Sequence, residues 1–131
     1  MTDEMVTWLR ARLDDEACVA RAATPGPWAV DSLIHAETIT NADGVTVVGG
    51  GRWGDEASVF ETTEDAVHIA RQDPAATLTR VRAHQQILDE CVDELENSSF
   101  VAPGKELAEK TLRLLASAYR GQPGWREEWT L

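Results

Sequence analysis

Apolar positions along this chain follow two different periods, and the places where the period changes mark out its elements. Behind the acidic start Thr2-Asp3-Glu4, the residues Val6, Leu9, Leu13, Ala17 and Ala20 recur at steps of three and four, which predicts an amphipathic helix over residues 1–23. Thr24-Pro25-Gly26-Pro27 must end it, because two prolines remove amide donors and restrict the residues before them. From Trp28 the period shortens to two, through Trp28 and Val30, then Ile34, Ala36, Thr38 and Thr40, then Val45 and Val47. Residues 28–48 therefore read as a small antiparallel sheet, with Asn41-Ala42-Asp43-Gly44 turning a hairpin from Glu37 to Val48 and Trp28 to Ser32 adding a third strand.

The glycine run Gly49-Gly50-Gly51 breaks regularity, and residues 49–61 are expected to be an exposed, mobile connection. Helical spacing returns over residues 62–120. Thr62 or Thr63 caps a short helix whose inner side is Ala66, Val67, Ile69 and Ala70. Asp73-Pro74 stops that helix and starts another, since aspartate accepts from free amides at a helix start and proline loses nothing at the first helical position. Leu78, Val81, Gln85, Leu88, Val92 and Leu95 then form a narrow seam along residues 74–96, fit for a helix of the same chain or for a second copy. After a loop bracketed by Asn97-Ser98-Ser99 and Pro103-Gly104, the residues Leu107, Thr111, Leu114, Leu115 and Ala118 build a last helix, ended by Gly121 and Pro123. The tail, residues 121–131, sets Trp125 and Trp129 four apart, on one side of a short turn. The expectation is a single α+β domain over residues 1–131: an N-terminal helix, a three-stranded antiparallel meander and three helices around one core.

Composition narrows the function classes. The chain has 131 residues, with 12 Lys+Arg against 23 Asp+Glu, a formal net charge of −11. Its ten arginines fall singly, so phosphate backbones and anionic membrane surfaces are repelled, and neither direct nucleic-acid binding nor membrane association is expected. Two cysteines, Cys18 and Cys91, are too few for a disulfide framework, and no run of about 18 apolar residues occurs. The expected compartment is the cytoplasm, that of the host cell if a phage encodes the chain.

Candidate chemistry is sparse. Glu64 and Asp65 stand four and three residues before His68 and share a helix side with it, the best candidate ligand or metal face, but a structural site takes about four ligands and no fourth is marked. His84 and Cys91, seven apart, share a side of the long helix, yet nothing supplies an orienting group or an oxyanion site. Cys18 reads as a small buried residue. The GGGRWG segment lacks the lysine and serine or threonine of a phosphate loop and leads into no helix, so no cofactor is expected, although Arg52 and Trp53 at its tip could meet a partner. Five tryptophans are many for this length. Trp28 is expected to anchor the sheet on the helices, whereas Trp53, Trp125 and Trp129 with Arg52 are the candidate interface.

The blocks TPGPW at 24–28, DAVHIARQDPAATL at 65–78, TLRLLASAY at 111–119 and PGWREEW at 123–129, with the pattern from Met5-Val6 to Arg21-Ala22, resemble a family of uncharacterised small proteins from actinobacteria and their bacteriophages. The resemblance spans nearly the whole length. It implies a phage or prophage context, in which small acidic proteins modulate host or rival-phage proteins. Members often carry cysteines before the TLRLLA-like block, hinting at a metal or a thiol, whereas this chain has no cysteine from Asn97 to Lys110.

The resulting expectation is a non-enzymatic acidic binding protein, a phage accessory factor acting on an unidentified protein partner, with a homodimer through the Leu78 to Leu95 helix also in view. The alternatives are a small ligand-binding or metal-dependent protein using Glu64, Asp65 and His68, or a mimic of nucleic acid.

Overall fold

The computed structural model describes residues 2–31, 38–49, 62–97 and 103–131. The chain is α+β, in the order α1 (Thr2–Ala22), β1 (Trp28–Asp31), β2 (Thr38–Asn41), β3 (Thr46–Val48), α2 (Thr63–Arg71), α3 (Pro74–Asn97) and α4 (Pro103–Ser117), followed by a 3-10 turn, Glu127–Trp129. Its residues fall into two compact units, one made of residues 1–16 and 81–131, the other of residues 17–80.

In the second unit the three strands form an antiparallel sheet in the order β1-β2-β3. Val30 pairs with Ile39 and Ile39 with Val48, and the ladder slips between Ile39 and Thr40. Because side chains alternate across a strand, that register sets the three apolar residues on one face. The face meets Ala66 and Ala70 of α2, with Trp28 and Val47 around them. Asn41 closes the hairpin: its side-chain oxygen accepts from the amides of Asp43 (3.0 Å) and Val45 (2.9 Å). Thr62 caps α2 by accepting from the Asp65 amide at 3.2 Å, as the threonine before the apolar run predicts.

Asp73 ties the start of α3 to the start of β1. One carboxylate oxygen accepts from the Ala76 amide (2.7 Å), the N-cap bond, and the other accepts from the Trp28 amide (2.8 Å). The Trp28 indole in turn donates to the Thr24 carbonyl at 2.9 Å, which fixes its ring over the sheet. Gly26 is needed at this crossing, since a Cβ there would come within 2.9 Å of both the Asp73 carboxylate and the Ala75 methyl.

The first unit buries Met5, Leu9 and Leu13 of α1, Val81, Leu88 and Cys91 of α3, and Ala108, Leu112 and Ala116 of α4. Each set recurs at three-, four- or seven-residue steps, the spacing of one helix side. Arg10 and Asp89 join α1 to α3 at 2.7 Å, and Arg126 joins the tail to Glu4 of α1 at 2.6 Å. Both pairs are about half exposed, where an ion pair contributes at most about 1 kcal/mol, while a buried leucine contributes two or three times that. Apolar burial therefore holds the unit together.

Two expectations about elements need correcting. Pro103 and Gly104 open α4 rather than closing the loop before it. The inner side of α4 is Ala108, Leu112, Ala116 and, just beyond, Tyr119, so that Leu107 and Leu114 are turned to solvent at 65% and 51% exposure.

Candidate functional site

Sequence reasoning named three groups of candidate residues, and the structure treats them differently. Glu64, Asp65 and His68 are all exposed on α2, where the first two lie in the acidic first turn beside the Thr62 cap. Among the described residues, no three His, Cys, Asp or Glu side chains stand close enough to hold a metal ion. Among the described residues the three form a solvated helix start. Arg52 and Trp53 lie outside the described residues.

Trp125 and Trp129 are used inside the first unit. Trp129 is 2% exposed, with its ring 5.3 Å from Trp8 and 6.2 Å from Trp125, the latter in an edge-to-face arrangement. Trp125 is half-buried; its indole donates to the Ala116 carbonyl at 2.8 Å and the Arg120 guanidinium sits 5.4 Å from its ring. Trp8 completes the cluster by donating to the Pro123 carbonyl at 3.0 Å and meeting Tyr119 edge-on at 6.3 Å. Aromatic rings in such arrangements gain about 0.5–1.5 kcal/mol per pair beyond the area they bury, so the tail is held on α1 and α4. The four-residue spacing of the tryptophans indicated a shared side; which way that side faces depended on Trp8, more than a hundred residues upstream.

The cysteines also part from expectation. Cys18 is exposed, its neighbours Ala17 and Ala20 taking the inner positions of α1. Cys91 is buried, and burial pushes its thiol above the ordinary value, with Glu90 next to it adding to the rise. A raised thiol is a poor nucleophile, because the thiolate is the reactive form. His84 is half-buried, and its Nδ1 has no hydrogen-bond partner among the described residues.

In the seam from Leu78 to Leu95, Val81 is 2% and Leu88 0% exposed, while Leu78, Gln85, Val92 and Leu95 are half-buried. What α3 and α4 present to solvent is different. On α4 the positions 107, 110 and 114 form one outward stripe, Leu107, Lys110 and Leu114, all exposed. On α3 the corresponding stripe is Ala83, Ile87, Glu90 and Glu94, with Ile87 40% exposed. Leucines this exposed bury only part of their surface in the fold.

The whole sequence supplies the family. A family of unknown function, DUF6221, matches residues 2–131. The chain belongs to that family. No curated protein and no solved structure matches it. DUF6221 membership thus carries no activity over to this chain. No described helix of this DUF6221 protein is long and apolar enough to cross a membrane.

Proposed function

We propose that the chain is a non-enzymatic acidic binding protein, a phage or prophage accessory factor of actinobacteria that works in the host cytoplasm through a protein–protein interface. The phage setting rests on the resemblance of its sequence blocks. The interface reading rests on one observation above the others: Leu107 and Leu114, seven residues apart on α4, are 65% and 51% exposed while Ala108, Leu112 and Ala116 take the inner side of the same helix. Two large apolar side chains that one helix side turns to solvent gain much more burial when a partner covers them. Lys110 between them supplies a charge opposite to that of the chain as a whole, which favours an acidic partner at that place.

The test is capture from host lysate on the immobilised chain. The wild type and a Glu64→Gln/His68→Ala variant are expected to recover the same partner, and a Leu107→Gln/Leu114→Gln variant to lose it. Loss through the first variant instead would move the function to the α2 face.

A further inference from the structure

We infer that the partner of the α4 stripe is a second copy of this chain, paired so that α4 of each copy lies antiparallel along the outward stripe of α3 of the other. The inference rests on the interface reading above and names its occupant. The two stripes are complementary at two successive positions, with Leu107 falling opposite the half-buried Glu94 on the turn before. Read in opposite directions, Lys110 then Leu114 on α4 meets Glu90 then Ile87 on α3, a cation against a carboxylate and a leucine against an isoleucine one turn further on. No ion pair engages Lys110 or Glu90 among the described residues, so neither charge must abandon a partner to make the contact.

A two-fold pairing requires each copy to offer both stripes, because residue i must meet j while j meets i. The end of α3 and the start of α4 meet within one copy, where a Cβ on Gly104 would collide with the Glu94 carboxylate. Repulsion between two chains of charge −11 opposes the pairing, but at physiological ionic strength it is screened beyond roughly 8 Å, which leaves the direct Lys110 to Glu90 contacts in command.

Sedimentation equilibrium at physiological salt tests this with a charge exchange. The wild type is expected to pair. Lys110→Glu and Glu90→Lys are each expected to weaken pairing about tenfold or more, since the two-fold axis counts each lost contact twice, and the doubly exchanged chain to return to within about threefold of the wild type. Both positions are exposed, and circular dichroism of each variant checks that it is folded. A wild type that stays single at roughly millimolar concentration overturns the inference, as does a doubly exchanged chain no better than the single variants. If the wild type is single and lysate capture still depends on Leu107 and Leu114, self-pairing falls and the binding reading stands; if it is single and captures nothing, both fall.

Discussion

A carboxylate buried as deeply as that of Asp73 must have its oxygens satisfied, and it meets the demand with two amides from segments 45 residues apart in sequence. Asp73→Ala removes a helix cap and leaves the Trp28 amide without its acceptor, so an unfolding free energy lower by about 2–4 kcal/mol is expected in urea titration. A loss under about 0.5 kcal/mol would show that the crossing is held by something else. The cap was legible in Asp73-Pro74, because any aspartate before a helix-opening proline accepts from the next turn. The bond to Trp28 was not, since nothing local in TPGPW names a distant carboxylate.

Cys91 gives a second residue-scale outcome. A thiol whose value is raised by folding favours the protonated form in the folded state. Its contribution to stability is therefore complete below the ordinary value of 9.0 and declines as pH climbs from there through the folded value. Cys91→Ala should lose that alkaline component, as read from urea titrations on either side of pH 9. In the native protein, exposed Cys18 should react with a thiol reagent well ahead of Cys91. Equal rates for the two would contradict the burial of Cys91.

At the scale of elements, every described helix and strand has its cause in local sequence: acidic starts and caps for the helices, period two and an Asn-Gly-bounded turn for the hairpin. α4 shows the limit of that reasoning. The residues 107, 111, 114, 115 and 118 satisfy helical periodicity, and so do 108, 112, 116 and 119; the period alone does not say which stripe goes inside. Size settled the matter in the sequence reading, in favour of leucines, whereas close approach of a neighbour selects the alanine side with Leu112 as its one large residue. Leu112 is fully buried, so Leu112→Ala should cost about 2–5 kcal/mol in thermal or urea unfolding. A cost near zero would put the sides of α4 the other way round.

For the whole molecule, the balance of charge and the burial pattern point in one direction. Among the described residues the candidate groups that chemistry would need are apart or solvated: Glu64, Asp65 and His68 are exposed, Cys91 is buried with a raised thiol, and His84 Nδ1 has no hydrogen-bond partner. Of the tryptophans that composition offered as a contact surface, Trp125 and Trp129 pack with Trp8 inside the first unit, a contact that sequence spacing could not reveal. Leu107 and Leu114 fit the core stripe of a periodic pattern, in which an exposed leucine and a buried one look alike, and the proposed contact surface is built on them. The account thus stands on those two side chains being free of the fold. Urea unfolding of the Leu107→Gln/Leu114→Gln variant, at a dilution where association is absent, tests that claim most directly, since glutamine and leucine have nearly equal helix propensity. The predicted result is an unfolding free energy within about 1 kcal/mol of the wild type, as for two surface substitutions. A loss of about 4 kcal/mol or more would place both leucines in the core and remove the contact surface altogether.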